Sequence, residues 1–546
     1  MAREASSLQG ATQTKWFAAT LRCSACYTVH YCQQEHQKSD WKKHKSQCSK
    51  PYEVLEDKVV GRYMIAARDL KAGDVILREK PCIVGPNLES SDFICVVCHR
   101  VLKTKHFLTC KLCKVPVCST PCSESDLHRN GECSVLKQKP FGFYSSFNAQ
   151  SQQVIHRPSA SVEHANFQLI IPIRAILLKM KDVKQYKRFM ALESHVESRE
   201  GTDAEVKADE RVFRLLEQFR LHEAGNRQLV QKICGIFDTN SFDLAIQDGA
   251  KGITGVYLNA AMMMHSCVKN TRIVFSQEHI MTIYARETIH KGDPIYHSYT
   301  PILAPTTLRR TLLFVGKNFS CECRRCTDPT EMGSLASAWL CQNPKCQGGV
   351  VLPESPIDLT SPWLCSTCRE KSFADGEIVM AERKLRLELD ALKPQSSMSV
   401  LEDFLARYQN VLHPRNALLI EAKRLLSIGY GRFPGYLYPQ LSSEQLDRKV
   451  AFCREVLAMA RILESGIATL IGMAAHELAL ALAKLVQRNP KKFSPSEMSV
   501  EIVNLLRESV YIFSFEPPDS RYGILGQTAR TELGNWERES TPHKII

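Results

Sequence analysis

Closely spaced cysteines constrain this chain more than any other feature of its sequence. Nineteen of its 22 cysteines fall into groups that have the spacing of metal ligands. Cys321, Cys323 and Cys326 lie too close together to form disulfides with one another comfortably, whereas three neighbouring thiolates suit a tetrahedral zinc ion. Such a site needs one distant fourth ligand, and we expect Cys267 to provide it. The sequence therefore predicts a zinc protein.

A complete cysteine module lies at residues 95–133. Eight ligands in four pairs make two tetrahedral zinc sites, and so short a segment cannot build an adequate apolar core without metal. The pairs are Cys95 with Cys98, Cys110 with Cys113, Cys118 with Cys122, and His128 with Cys133.

A similar module at residues 23–48 is incomplete. Residues 1–22 contain no cysteine, so the half-site of Cys32 and His36 lacks a leading pair, and we expect it to be empty or loosely ordered. A truncated gene model or an alternative first exon explains the missing pair equally well. The module has six ligands: Cys23, Cys26, Cys32, His36, His44 and Cys48.

Two further cysteine pairs flank a strand-like stretch around Trp363. Two such knuckles joined by a hairpin are typical of a zinc ribbon. The pairs are Cys341 with Cys346 and Cys365 with Cys368. The remaining cysteines have apolar neighbours, and we expect them in the core: Cys82, Cys234 and Cys453.

Composition narrows the compartment and the kinds of partner. No stretch approaches the roughly 18 consecutive apolar residues of a membrane span, and the first residues lack the apolar core of a signal peptide. We therefore expect a protein of the nucleus, the cytoplasm or both, without membrane partners, and in these compartments cysteine clusters bind metal. We also expect the protein to be a monomer. The formal charge of +13 suits basic zinc modules and does not by itself favour direct nucleic-acid binding.

Hydrophobic patterning predicts strands around the complete module and helices elsewhere. The polar stretch Glu197–Glu210 is interpreted as a surface loop. The strand-like runs are Val59–Val60, Tyr63–Ala66, Val75–Leu77, Arg272–Phe275 and Ile280–Tyr284. Beyond Glu377 the chain is nearly all helical, in successive segments that resemble tetratricopeptide (TPR) repeats without their strict signature: Ala381–Leu392, Val400–Leu412, Asn416–Leu426, Ser443–Leu463, Ile467–Val486 and Pro495–Phe513.

An ordered set of motifs runs along the chain: Gly61 to Leu70, the module at 95–133, Thr239 to Phe242, Met264 to Cys267, Ser298 with Tyr299, and the Cys321-Glu322-Cys323-Arg324-Arg325-Cys326 tail. This order resembles the SET-and-MYND (SMYD) family of protein-lysine methyltransferases. The duplicated module, the ribbon and the helical tail resemble the arthropod-specific, SmydA-like branch of that family.

The resemblance implies an α+β fold with a β-rich SET core interrupted by MYND zinc fingers and a helical insert. Its segments are an incomplete first MYND finger (23–48), the N-terminal part of the SET domain (51–94), a second MYND finger (95–133), a helical insert (140–250), the SET catalytic core (251–300), a post-SET zinc region (301–330), the zinc ribbon (338–370) and an all-α, TPR-like lobe (375–546).

The family also implies how ligands and cofactor are held. MYND ligand pairs interleave, which gives three sets of ligands: Cys23, Cys26, His44 and Cys48; Cys95, Cys98, Cys118 and Cys122; and Cys110, Cys113, His128 and Cys133. The cofactor implied is S-adenosylmethionine, with Tyr299 as the catalytic tyrosine and with these cofactor-binding positions: Gly61, Arg62, Asn240, His265 and Phe319.

Two positions depart from the family's cofactor motifs. Met264 stands where the family has an asparagine, and a thioether cannot replace the donors and acceptor of an amide. Tyr63 replaces the second glycine of the first loop, which restricts the backbone and is expected to add a ring near the cofactor. Two functions therefore remain open. One is a protein-lysine methyltransferase that regulates gene expression through protein partners, and the other is an inactive adaptor or co-regulator whose MYND fingers bind proline-rich peptides.

Overall fold

The computed structural model describes residues 21–87, 94–102, 108–138, 169–213, 227–245, 251–373, 377–392, 398–489 and 495–539. Within these ranges the fold is α+β, as predicted, with small sheets in the first two thirds of the chain and helices in the last third. Residues 1–20, which contain no cysteine, lie outside the described ranges, as do parts of the predicted helical insert.

Three antiparallel sheets form the β-rich core. One is the hairpin Tyr52–Asp57 with Gly61–Ala66, and the others each contain three strands. Their strands, in spatial order, are Thr271–Phe275, Met281–Ala285 and Val75–Glu79 in one sheet, and Ile83–Pro86, Lys251–Val256 and Ser241–Ala245 in the other.

A parallel crossing lies between these sheets. Met264–His265 pairs in parallel with Tyr296–His297. The Asn270 side chain fixes the crossing, because its Nδ2 donates to the carbonyl of Pro294 (2.9 Å) and its Oδ1 accepts from the Tyr296 amide (2.7 Å). The motifs at Met264–Cys267 and Ser298–Tyr299 are thereby brought side by side, although His265 and Tyr299 are 34 residues apart in the sequence.

The prediction of a strand at Val59–Val60 is wrong. These valines form the turn of the first hairpin, where the Asp57 carboxylate accepts the amides of Val59 (2.7 Å) and Val60 (3.2 Å). The side-chain acceptor supports the turn and outweighs the β-preference of valine. Val59 is left 90 % exposed.

The prediction of a surface loop at Glu197–Glu210 is also wrong. Residues Glu197–Arg199 form a 3-10 turn, and a helix begins at Asp203 and ends at Phe213. Arg199 is buried and donates to Asp238 (2.7 Å), while Ala208 packs into the core. Acidic residues in the first turn stabilise the helix. The polar composition of the segment is what suggested a loop instead. The other described insert helices are Ile170–Lys181, Val183–Met190 and Arg227–Asn240.

The C-terminal lobe is all helical, as predicted, and each long helix packs on the next along the chain. The helix Arg521–Glu539 lies beyond the six predicted segments. The helix Thr469–Arg488 is long and apolar enough to cross a membrane, but 72 % of its most apolar window is buried inside the protein, as expected of a core helix. The helices are Glu377–Leu392, Met398–Tyr408, Ala417–Gly429, Ser443–Leu463, Thr469–Arg488, Pro495–Phe513 and Arg521–Glu539.

Short elements complete the cysteine modules. The first finger contains the hairpin Leu21–Arg22 with His30–Tyr31 and the helix Gln34–His44. The second contains the hairpin Leu108–Thr109 with Pro116–Val117 and three short helices, Thr120–Glu124, Asp126–Arg129 and Glu132–Leu136. The predicted ribbon is a three-stranded sheet: Trp339–Leu340, Val350–Pro353 and Trp363–Cys365.

Candidate functional site

Five groups of four cysteine or histidine side chains meet in the described structure. In each group the ligand atoms lie within 4.8 Å of one another. The groups consist of the interleaved pairs predicted from the sequence, and Cys267 joins the group of Cys321, Cys323 and Cys326 as expected. The groups are Cys23, Cys26, His44 and Cys48; Cys95, Cys98, Cys118 and Cys122; Cys110, Cys113, His128 and Cys133; Cys267, Cys321, Cys323 and Cys326; and Cys341, Cys346, Cys365 and Cys368.

The donor sets fit zinc. Four thiolates, or three thiolates and an imidazole, at tetrahedral separation are the ligands of closed structural zinc sites. None of the five groups contains a carboxylate. The groups therefore stabilise the local fold and leave no open coordination position for chemistry.

A carboxylate fixes the second finger from behind its zinc ligand. Glu132 is fully buried and accepts from His128 Nδ1 (3.0 Å) and from the Arg174 guanidinium (2.8 and 3.0 Å). Burial alone would raise the pKa of Glu132, but the charge of Arg174 and the His128 hydrogen bond hold it at about 2. Arg174 also donates to the carbonyls of Val84 and Val96, which attaches the finger to the SET strands. Sequence spacing gave no signal of this contact.

In the first finger, Cys32 and His36 form a separate contact. The Cys32 Sγ lies 2.8 Å from His36 Nδ1. Over the described ranges, no further cysteine, histidine or carboxylate joins them to make a group of three. The half-site therefore has two ligands in the described part of the finger.

Helix Thr306–Lys317 holds the post-SET zinc site against the SET core. The buried guanidinium of Arg309 donates to Cys267 Sγ (3.2 Å) and Cys326 Sγ (3.4 Å), so a positive charge offsets the thiolates. Arg309 and Arg325 both pair with Glu331 (2.6 and 2.9 Å). Burial raises the pKa of Glu331, but the two guanidinium charges lower it to about 2.

His265 connects the zinc cluster to Tyr299. The Tyr299 amide donates to His265 Nδ1 (3.0 Å), so the imidazole proton lies on Nε2, which is 3.4 Å from Cys267 Sγ. The His265 ring also lies 5.0 Å from the Tyr299 ring and 5.6 Å from the Phe319 ring, measured between centroids. The zinc site thereby sets the orientation of the aromatic residues beside it.

Tyr299 lies at the centre of this region. Its hydroxyl donates to the Met263 carbonyl (2.7 Å). Tyr299 is 39 % exposed and lines a cleft. Desolvation raises the pKa of the Tyr299 hydroxyl to about 12. The hydroxyl stays protonated at neutral pH, and its oxygen can still accept a hydrogen bond from a ligand.

One cleft of about 2920 Å³ brings together every predicted catalytic and cofactor-binding residue. Gly61 has a left-handed φ of +70°, so the hairpin favours glycine there. Asn240 Nδ2 donates to the carbonyls of Glu193 and Ile236 (2.7 and 2.8 Å), so its donors are already occupied. The predicted residues that line the cleft are Gly61, Arg62, Asn240, His265, Tyr299 and Phe319.

The two departures from the family motifs differ in their placement. Met264 lines the cleft and exposes part of its side chain there. Tyr63 is not among the described residues that line the cleft, whereas its neighbour Arg62 is. The expectation that Tyr63 adds a ring near the cofactor is therefore not supported.

Two further polar residues in the cleft were not predicted. Lys317 donates from Nζ to the carbonyls of Asp238 and Thr239, both at 2.8 Å. His297 Nδ1 is buried without a hydrogen-bond partner among the described residues, and burial lowers the pKa of His297 to about 3. Both stand next to recognised motifs, but contact with residues distant in sequence, not motif spacing, places them in the cleft.

Two protein families and several curated proteins are similar to this chain in sequence. The MYND finger family matches residues 13–48, and the SET domain family matches residues 61–300. The SET domain-containing protein SmydA-8, isoform A, of Drosophila melanogaster is 27 % identical over 429 residues, which is 76 % of this chain and 86 % of that protein. The mouse histone-lysine N-methyltransferase SMYD3 is 26 % identical over 49 % of this chain and 59 % of its own length.

The solved structure of Rubisco LSMT bound to AdoMet aligns with 92 % of this chain and 93 % of its own, at 10 % identity and a TM-score of only 0.28. The sequence matches and the five ligand groups are therefore the basis for classifying the chain. The chain is a zinc-binding SET- and MYND-domain protein related to the SMYD lysine methyltransferases.

Proposed function

We propose that the cleft binds S-adenosylmethionine and that the protein methylates lysine side chains of other proteins. One observation carries the proposal: six residues from five separate parts of the chain, each chosen from the family motifs, line a single cleft. Placement of all six on one cleft is not required by their spacing in sequence. The substrate protein would be encountered in the nucleus or the cytoplasm.

The residues of the cleft fit such a cofactor. The aromatic rings of His265, Tyr299 and Phe319 lie together at the cleft, where they can pack against a flat ring of a ligand. The Asn240 oxygen and the unpartnered His297 nitrogen are polar atoms that a ligand can satisfy. Once bound, the cofactor supplies an electrophilic methyl group.

Tyr299 would orient the incoming lysine amine. A lysine has an ordinary pKa of about 10.4 and must lose its proton before it can act as a nucleophile. The hydroxyl of Tyr299, whose pKa is raised further above its ordinary value, is protonated at neutral pH, so its contribution is orientation and not proton abstraction. Orientation is an effective source of rate for a displacement between two bound groups.

The test is methyl transfer to arrayed proteins from labelled S-adenosylmethionine, comparing the unmodified protein with Tyr299→Phe. The phenyl ring keeps the packing against His265 and removes only the hydroxyl. We expect Tyr299→Phe to abolish turnover and Tyr296→Phe, a matched change of another cleft tyrosine, to retain it. Equal turnover in both variants, or no turnover in any, would contradict the proposal.

A second function is favoured by Met264. Its thioether lines the cleft where the family carries an amide, and that loss would weaken cofactor binding. The alternative is an adaptor that uses its MYND fingers to bind proline-rich peptides and to regulate transcription. An adaptor of this kind would capture such peptides with unchanged affinity in the presence and absence of S-adenosylmethionine, and it would show no methyl transfer.

A further inference from the structure

Lys317 places a fixed positive charge beside Tyr299. It is the last residue of the helix Thr306–Lys317 and stands two positions before Phe319. Its Nζ lies 5.8 Å from the centroid of the Tyr299 ring. Two main-chain carbonyls, those of Asp238 and Thr239, hold it there at 2.8 Å.

The position of these carbonyls explains why the Lys317 ammonium group is held beside Tyr299. Both belong to the last turn of the helix Arg227–Asn240, where unpaired carbonyls and the helix dipole favour a cation. Desolvation lowers the pKa of Lys317, and the charges of Asp238 and Asp243 oppose that effect. Asp238 is already paired with Arg199 at 2.7 Å, so its charge is shared with a second cation.

We infer that Lys317 makes the cleft discriminate against a cationic ligand at Tyr299, so that it binds neutral S-adenosylhomocysteine more tightly than sulfonium-bearing S-adenosylmethionine. The inference rests on the proposed function, because methyl transfer near Tyr299 requires the sulfonium to approach that ring. A sulfonium that approaches this ring would meet the like charge of Lys317 in a partly desolvated cleft, and we expect the repulsion to cost about tenfold in affinity.

The consequence is a site that favours product over cofactor. Transfer of the methyl group also removes the positive charge of the sulfonium. Lys317 would therefore repel S-adenosylmethionine before the reaction but not S-adenosylhomocysteine after it. Turnover would then depend on removal of S-adenosylhomocysteine by a separate hydrolytic or competing binding reaction.

Calorimetric titration with each ligand tests this in the unmodified protein and in Lys317→Met, which keeps the length of the side chain and removes its charge. We expect Lys317→Met to bind S-adenosylmethionine about tenfold more tightly and S-adenosylhomocysteine within about twofold of the unmodified protein. Lys317→Arg retains the charge and should retain the preference for product. Lys207→Met, at another lysine that lines the cleft, controls for net charge and should leave the ratio unchanged.

The outcomes separate the two claims. If both ligands bind but Lys317→Met leaves their ratio unchanged, the inference is wrong while the proposed function stands. The inference is also wrong if the variant weakens both ligands equally, since Lys317 would then bind the carboxylate that both ligands share or serve only the fold. If no variant binds either ligand, the proposed function fails, and the inference fails with it.

Discussion

At the scale of single residues, the chemistry of this protein depends on one short series of contacts. Cys267, a zinc ligand, contacts His265, and His265 accepts from the Tyr299 amide. Met264 lies one position before His265 on the same strand and faces the cleft. A change at any of these positions acts close to the proposed cofactor site, so residue variants report directly on it.

Restoring the family asparagine at position 264 should strengthen cofactor binding. An amide in place of the thioether can satisfy a buried polar group of the ligand, a gain of about 1–3 kcal/mol, or roughly 5- to 150-fold in affinity. Calorimetric titration of Met264→Asn with S-adenosylmethionine measures it. Tyr63→Leu is the comparison, because Tyr63 does not line the cleft, and it should leave affinity unchanged. Tighter binding of S-adenosylmethionine by Tyr63→Leu, without tighter binding by Met264→Asn, would show that Tyr63 and not Met264 weakens the cofactor site.

Glu132 is the residue on which zinc retention in the second finger should depend. Glu132→Gln keeps the shape but removes the charge that His128 and Arg174 face, and loss of such a partner behind a ligand weakens metal binding by about 10- to 100-fold. Elemental analysis after mild chelation should find about five zinc ions in the unmodified protein and fewer in the variant, since five ligand groups are complete. Glu124→Gln, which removes an exposed partner of Arg129, is the control. Equal zinc retention in all three proteins would rule out this role.

At the scale of elements, the features predicted correctly from sequence spacing are those that depend on residues close together in the chain. The five ligand groups were predictable because zinc imposes short, recognisable intervals on its ligands. The turn at Val59–Val60 and the helix Asp203–Phe213 were missed, because Asp57 and the packing of Ala208 outweigh the local residue preferences. Lys317 and Arg174 were missed for a different reason. Each makes its contacts across 42 or more residues, and neither a period nor a motif encodes such a contact.

The helix Glu377–Leu392 carries a buried carboxyl that should make stability depend on pH. Burial raises the pKa of Glu382 from 4.5 to about 8, against a hydrogen bond from Thr307. The folded protein therefore binds this proton more tightly than the unfolded chain. The associated stability is fully present below pH 4.5 and is lost as the pH rises towards about 8.

Chemical unfolding of Glu382→Gln against the unmodified protein measures that contribution. The amide cannot ionise, so the difference in unfolding free energy between the two proteins should shift in favour of the variant as the pH rises from about 5 to about 8, by about 3–5 kcal/mol. Glu388→Gln, at a partly exposed carboxylate of the same helix that pairs with Arg407, is the matched control. Parallel pH profiles for Glu382→Gln and the unmodified protein would show that Glu382 does not titrate in this range.

At the scale of the whole molecule, the helical lobe is joined to the SET core by buried charges. Arg272 of the core strand Thr271–Phe275 donates to the carbonyls of Ile467 (3.2 Å) and Ile512 (2.6 Å) and pairs with Glu516 at 2.6 Å. Arg286 pairs with Glu464 at 2.7 Å. Gly466 has a φ of +60°, and an added Cβ would meet the Arg286 carbonyl at 1.9 Å, so only glycine fits this junction. The lobe therefore behaves as a part of the core and not as a tethered module.

Arg272→Met should loosen this junction. The variant leaves Glu516 and two carbonyls buried without their partner, which costs about 3–5 kcal/mol. Arg461→Met, which breaks an exposed pair with Glu508, should cost about 1 kcal/mol or less. Thermal unfolding with limited proteolysis compares them, and we expect early cleavage between core and lobe in Arg272→Met alone. Equal effects of the two changes would show that the junction contributes no more than the surface does.

Direct binding of S-adenosylmethionine to the unmodified protein tests the central claim most simply. The cleft around Tyr299 predicts saturable binding of one molecule per chain, weakened by Met264 and Lys317 but measurable by calorimetry, and competition by S-adenosylhomocysteine for the same site. Absence of binding by either ligand, in folded protein with zinc bound at its five ligand groups as verified by elemental analysis, would contradict the assignment of the cleft as a cofactor site.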